Sequence, residues 1–490
     1  MNARSSISVA LCAVALCGMA ALAGAGTRKQ AKGKVPITTK SEEARALYLK
    51  GRDLAEKLRA TDAHKLYKQA AAKDPSFALA HFGLANTSAT GKEFFAELAL
   101  AVALADKVSE GERLFIMGLD AGARGNPARQ KELYVQLTQL HPNDERGHNQ
   151  LGIYYFGVQD WAAAVGPFEK AIQINPSFSQ PYNQLGYAYR FLEKYDKAEE
   201  TFKKYIKLIP DDPNPYDSYG ELLMKMGRFD DSIASYEKAL AVDKNFIASY
   251  VGIGNNQMFM GRGAEARKTF AKLAGVSRNS GEKRQALFWT SNSYLHEGAT
   301  DKALAEVEKM LAVAMGEKDY GAAAGDYNLM GNILLEAGKP DQAAAKFKLQ
   351  LENVARASSP DDVKELARRN NLFTQARVAL ARKDVTTAKA KAREYAAKVA
   401  VRKVPVEVWQ THEIAGYIAM AERNYSVAVS EFKQANQQDP RVLYHLAAAL
   451  QASGDRGRAK EMFGKAGNFN GLGGNFAFVR KKALDHLAKS

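Results

Sequence analysis

Serine, histidine and carboxylate side chains are the groups through which this chain could do chemistry, so their spacing comes first. Ser235 and Lys238 stand three apart, a spacing that can put a serine nucleophile beside a lysine base, but they lie in SIASYEKAL, which reads as an ordinary amphipathic helix. The Ser-Asp-Asn and Lys-Thr-Gly segments that would accompany such a pair are absent. So are a phosphate-cradling GxxxxGK[ST], an HExxH, a GxSxG and a calcium loop of alternating acids. The eight histidines, His64, His81, His141, His148, His296, His412, His445 and His486, have no second histidine or carboxylate at ligand spacing. His412 and Glu413 are adjacent and therefore face differently on a helix. Asp211-Asp212 before Pro213 reads as a helix start, where carboxylates meet free amides. No enzyme, metal site or cofactor is expected.

The first 25 residues differ from the rest. Arg4 precedes an apolar stretch from Ile7 to Ala23 that ends in small residues, the pattern of a secretory signal peptide cut near Ala23 or Ala25. The competing reading is a retained anchor, since Ile7 to Ala25 is barely long enough to span a bilayer. Both cysteines, Cys12 and Cys17, fall in this segment, so a cleaved chain would hold no thiol or disulfide. Cleavage removes one base and no acid, taking the formal charge from +15 to +14. The expected mature protein is periplasmic or extracellular, with no membrane span and with a basic flexible linker at 26–43.

The elements that would position any site repeat. Gly118, Gly152, Gly186, Gly220 and Gly254 are each 34 residues apart. Around Gly152, the residues Leu151, Tyr155, Ala164, Phe168, Ala171 and Pro176 occupy the special places, and Leu185, Tyr189, Ala198, Phe202 and Pro210 follow in the same order in the next unit. Glycine lets one helix approach its neighbour, the two alanines let a second helix cross it, and the large residues fill the gaps. Pro176 and Pro210 end second helices because they lack an amide donor and restrict the residue before them.

This pattern resembles the tetratricopeptide repeat. The resemblance implies an all-α fold, a right-handed superhelical solenoid of antiparallel helix pairs, with about twelve units over 44–470. The strongest units fall at 111–280 and the most degenerate at 78–110, with short insertions near 277–283, 318–323 and 402–408. A capping helix follows at 471–490, with a charged outer side.

The helix wheel separates a packing face from an available one. In the unit that begins at Glu145, His148, Leu151, Gly152 and Tyr155 share one side, while Arg146, Asn149, Ile153 and Phe156 lie opposite. In the family this second face lines a concave groove that holds extended peptides. Carried forward by 34, the candidate groove contains Asn149, Phe156, Asn183, Tyr187, Arg190, Phe191, Asp217, Glu221, Asn255, Met258 and Phe259. Large apolar side chains are costly to leave wet, and asparagine amides can pair with a peptide backbone. Asp217 and Glu221 stand where the family's basic carboxylate clamp would need cations, so that ligand is not implied.

A second candidate surface is basic. Between Arg368 and Lys403 eleven Lys or Arg face only Asp384 and Glu394, a local charge of +9. Arg377, Arg382, Lys383, Lys389, Lys391, Arg393, Lys398 and Arg402 are too many for pairing along their own helices. The leading expectation is a protein-interaction scaffold in the cell envelope that binds a peptide or protein partner in its groove. The alternative is a structural scaffold docking through 368–403 on an anionic envelope polymer, lipid headgroups or an acidic protein. Nucleic acid is not an expected partner, because the basic segment has few interleaved aromatics for base stacking.

Overall fold

The computed structural model describes residues 33–489 apart from Leu58 and Lys403. The apolar leader, its cleavage point and Arg28, Lys29 and Lys32 lie outside the described residues. Those described form 25 α-helices, one short 3-10 turn and no strand. The helices run in twelve consecutive pairs. Units 1 to 4 are α1 (Glu42–Glu56) with α2 (Ala60–Lys73), α3 (Ala78–Thr87) with α4 (Gly91–Leu104), α5 (Glu110–Ala123) with α6 (Pro127–Leu140), and α7 (Glu145–Gly157) with α8 (Trp161–Ile174). Units 5 to 8 are α9 (Ser179–Phe191) with α10 (Tyr195–Leu208), α11 (Asn214–Lys225) with α12 (Phe229–Val242), α13 (Ile247–Phe259) with α14 (Gly263–Val276), and α15 (Ser280–His296) with α16 (Thr300–Gly316). Units 9 to 12 are α17 (Tyr320–Glu336) with α18 (Pro340–Arg356), α19 (Asp361–Ala381) with α20 (Val385–Arg402), α21 (Pro405–Ala421) with α22 (Tyr425–Gln434), and α23 (Pro440–Ala452) with α24 (Arg456–Gly467). A last helix, α25 (Phe476–Lys489), follows.

Eight of the pairs close on the same kind of contact, a first-helix glycine under a second-helix ring. A Cβ on Gly152 would lie 2.5 Å from the Phe168 ring, and one on Gly186 would lie 2.6 Å from Phe202. Gly254 meets Phe270, Gly331 meets Phe347 and Gly416 meets Phe432 in the same way. Phe168, Phe202 and Phe270 are wholly buried, as are Ala164, Ala171 and Ala198 beside them. Burying a phenylalanine stabilises by about 1.5–3 kcal/mol. Glycine inside a helix costs roughly 0.5–1 kcal/mol, so the ring contact outweighs it.

The turns are equally regular. Gly125, Gln159, Glu193, Gly227 and Gly261, again 34 apart, all take left-handed φ values of 56–77° between the two helices of a unit. Between units, Asn175, Asp212 and Asp243 each accept a hydrogen bond from the amide two residues on. Tyr182, Tyr216 and Tyr250 then donate to the carbonyls of Pro176, Pro210 and Lys244 at 3.1, 3.1 and 2.9 Å, closing each link from the side. From unit 8 to unit 10 the extra residues lengthen the helices to 17–21 residues, where units 4 to 7 use 12–14.

Successive turns of the coil touch. Arg59, in the turn of unit 1, pairs with Asp243 at 3.3 Å, and Thr61 and Asp62 meet Glu282 and Arg278 at the entrance to unit 8. Arg124 and Gly125 of unit 3 meet Asp362 and Arg402 of unit 10. The offset is thus five to seven units. These ion pairs are about one-third exposed and contribute at most about 1 kcal/mol each. Apolar packing contributes more, since Val363 of unit 10 joins the cluster of Phe94, Phe95 and Leu119. This accounts for the degenerate unit 2: Ala78 through Ala85 are buried all round, so α3 carries no polar stripe and the repeat pattern blurs.

Residues 34–39, before α1, are laid against the end of α2 and against units 3 and 4. The Val35 amide donates to Asp144 at 2.8 Å, the Thr38 amide and hydroxyl both donate to Glu112, and Thr39 reaches Asp74. Lys34 pairs with Glu145.

Candidate protein-binding face

The candidate groove residues lie along the row of first helices, the inner side of the coil, and most are closed off and committed to neighbours. Asn149, Asn183, Arg190, Asp217, Asn255, Met258 and Phe259 are buried, and Phe156, Tyr187, Phe191 and Glu221 are half-buried. This corrects the expectation of an open amide ladder. First helices of several successive units touch, and in units 4 to 7 that contact uses the polar groups. Asn149 Nδ2 donates to Gln180 Oε1 at 2.6 Å. Tyr187 donates to Glu221 at 2.8 Å, and Arg190 pairs with Glu221 at 2.9 Å while lying 4.5 Å from the Phe191 ring centre. Ser249 donates to Asp217 at 2.7 Å, and Asn255 Nδ2 turns back on the Val251 carbonyl. Burial, opposed by the Ser249 hydrogen bond, raises the Asp217 carboxyl to about 7.

The same ladder continues through later units with stronger pairs. Arg284 grips Asp326 through two bonds of 2.7 Å, and Arg369 holds Glu407 at 2.6 and 3.1 Å. These buried pairs link units 8 to 9 and 10 to 11. Removing one partner would strand a buried charge at a cost of about 3–5 kcal/mol.

From unit 6 to unit 9 the inner face is occupied by the chain's own end. After α24 the glycine-rich link carries Phe469 to within 4.5 Å of Lys225 Nζ. Phe476, wholly buried, then sits with its ring centre 4.8 Å from Phe259 and 5.8 Å from His296. Phe478 and Val479 pack with Ala303, Val307, Met330 and Ile333 of units 8 and 9. Arg480 lies 4.5 Å from the Phe259 ring and donates to Asn470 at 3.0 Å. Residues 476–480 are buried without a break, whereas Lys481, Lys482, Asp485 and Lys489 are exposed. The helix therefore exposes a charged side, while its first turn is inserted into the coil. Burial, with Arg480 nearby, lowers His296 to about 4.

Comparison with known proteins identifies the unit. Two tetratricopeptide-repeat family models match, one over residues 179–212 and 214–246 and the other over 48–108 and 251–320. Tetratricopeptide repeats are present in this chain. Among solved structures, that of MamA is 23% identical, with a TM-score of 0.28, over 33% of this chain and 94% of its own. A thermophilic repeat protein of Thermus thermophilus is 19% identical, with a TM-score of 0.31, over 36% of this chain and 94% of its own. A repeat protein from Parabacteroides merdae is 16% identical, with a TM-score of 0.36, over 53% and 98%. No curated protein matches the sequence significantly. Such repeats generally mediate protein–protein interaction.

Within the tetratricopeptide coil the basic run is less naked than its sequence suggests. Arg377 is buried, bonded to Asn332 at 2.7 Å and close to Glu336. Arg382 pairs with Asp341, Lys389 with Glu422, Lys391 with Glu394 and Lys398 with Glu365. Arg402 donates to the Gly125 carbonyl across the coil. Most of these acids belong to neighbouring units, which pairing along one helix could not reveal. Lys383 and Arg393 keep no ion pair or hydrogen bond of this kind among the described residues, and Lys383 occupies a left-handed turn.

Ser235, His81 and His412 are engaged by neighbouring helices. Ser235 donates to the Tyr216 carbonyl at 2.7 Å, which ties the two helices of unit 6. His81 and His412 meet Glu97 and Glu431 of the facing helix at 2.7 and 2.8 Å. Among the described residues no cluster of three His, Cys, Asp or Glu could hold a metal, and no helix is long and apolar enough to cross a membrane.

Proposed function

We propose that this chain is an exported scaffold that holds a helical segment of a protein partner on the inner face of units 6 to 9, where its own last helix is the competing occupant. One observation carries the reading. Phe476 fills an inner-face site between Phe259 and His296, so this stretch accepts a helix anchored by aromatic side chains. Half-buried Phe156, Trp161 and Phe191 supply an aromatic extension toward unit 4, with Trp161 and Phe191 stacked at 4.2 Å. Export rests on the leader at 1–25 and its small-residue ending. N-terminal sequencing of the protein recovered outside the cytoplasm should start near Gly24 or Gly26.

The binding reading is tested with a photo-crosslinking residue placed at Phe191 on the inner edge and, as control, at exposed Lys204. Partner capture should occur at Phe191, fall when excess peptide 468–490 is added, and be weak at Lys204. Equal capture at both places, or capture at Phe191 that ignores the peptide, would refute it.

A further inference from the structure

We infer that a cavity between units 1 and 4, walled on one side by the segment before α1, binds a small organic carboxylate through Arg52 and Arg146. This site is separate from the inner face of units 6 to 9. The cavity measures about 60 Å³, roughly four to six times the 10–15 Å³ that one enclosed water needs. Tyr48, Phe82 and Phe115 form its aromatic wall, and Val35 and Ile37 its other side. Arg52 comes from α1 and Arg146 from α7, nearly one hundred residues later, so the coil brings two guanidinium groups to one space.

Neither arginine is fully satisfied there. The Nε of each is enclosed with no acceptor, and so is Asn86 Oδ1 without a donor. Asp144 also lines the cavity, but its oxygens already accept from the amides of Val35, Arg146 and Gly147. Glu145 takes Lys34, one Arg146 nitrogen and Asn175. Arg52 lies 5.6 Å from the Tyr48 ring centre and has no carboxylate partner among the described residues. Burial and then the Arg146 charge lower the Arg52 guanidinium to about 10, while Tyr48, Tyr67 and Asp144 act the other way. An unpaired enclosed donor is costly, and two neighbouring cations repel. An anion between them relieves both.

The class of anion follows from the walls. Guanidinium forks match a planar carboxylate through parallel bonds, and the aromatic and aliphatic lining suits an apolar body of a few carbons. Inorganic phosphate would present oxygens to that lining as well.

The test is calorimetric titration of the full chain with acetate, butyrate, hexanoate and inorganic phosphate. Saturable binding is expected, tighter for butyrate than for acetate, and at least tenfold weaker for phosphate. Arg52→Gln and Arg146→Gln should each weaken butyrate at least tenfold while helicity is kept, and Arg52→Lys should weaken it less. Should the glutamine variants fail to fold, Asn86→Asp supplies an internal carboxylate and should also weaken butyrate at least tenfold. No saturable carboxylate binding, phosphate binding as tight as butyrate, or butyrate binding indifferent to these substitutions would overturn the assignment.

Discussion

Phe476 meets Phe259 ring centre to ring centre at 4.8 Å and 73°, joining the first residue of the last helix to an inner-face residue of unit 7, 217 positions earlier. Because Phe476 is also against His296, the contact decides whether the inner face of units 7 and 8 is covered. Phe476→Ala leaves a cavity in place of a ring, a change that typically costs about 3–5 kcal/mol in a core. Here the cost should fall on the docking of α25. Hydrogen exchange in 476–489 is expected to rise by about 100-fold or more, with α7 to α10 unchanged. A uniform rise along the chain would mean that the helix is a cap on which the whole coil depends.

Docking should also weaken in acid. His296 is lowered from 6.5 to about 4, first by burial and then by Arg480, while Glu297 and a backbone bond to Met258 act the other way. An undocked His296 binds a proton between pH 6.5 and 4 that the docked one does not, so docking is at full strength above pH 6.5 and declines as pH falls through that window. The loss should amount to about 1–3 kcal/mol. Exchange in 476–489, measured from about pH 7 to 4.5 and corrected for intrinsic rates, should show it. His296→Phe should flatten the profile, and an unchanged profile would count against the assignment.

Asp217 has the opposite sign. Burial raises it to about 7 from a usual 3.8, so the folded state favours the proton and stability declines as pH rises from 4 through 7. An asparagine side chain in its place would still accept from Ser249. Asp217→Asn is therefore expected to be neutral near pH 4 and to stabilise by about 1–3 kcal/mol at about pH 8. Denaturant midpoints at the two pH values decide it, and destabilisation at the higher one would show that the ionised carboxylate is needed.

The glycine pattern predicts a contrast within one residue type. Gly152→Ala puts a Cβ 2.5 Å from the Phe168 ring and should destabilise by about 1–3 kcal/mol. Gly275, helical with nothing within 4 Å, should instead gain about 0.5–1 kcal/mol as alanine. Chemical unfolding of both variants checks this, and equal shifts would separate the 34-residue period from packing.

What could be read in advance follows from the range of each interaction. Gly152 with Phe168, and Gly186 with Phe202, are contacts inside a unit, so the 34-residue period carries them. The left-handed turns at Gln159 and Glu193 follow the same period, yet their residue types conceal them, because only the neighbouring units place glycine there. The helix wheel grouped Asn149 and Asp217 as an available face, and both are buried. It could not show that Gln180 and Ser249 of the next units would take their hydrogen bonds. The acids that pair with Arg382 and Lys389 likewise come from neighbouring units. Contacts across the coil, such as Arg59 with Asp243 or Phe259 with Phe476, depend on the pitch, which no single unit encodes.

On the proposed function, the inner face of units 6 to 9 is a helix-binding site which the chain's own end occupies. The most direct test is a calorimetric titration of peptide 468–490 into the full-length chain and into the Phe476→Ala, Phe478→Ala variant. A tethered copy competes at high effective concentration, so the free peptide should bind the variant at least tenfold more tightly than the unaltered chain. Equal affinity for the two proteins, or no binding to a variant that keeps its helicity, would show that the last helix does not occupy a binding site.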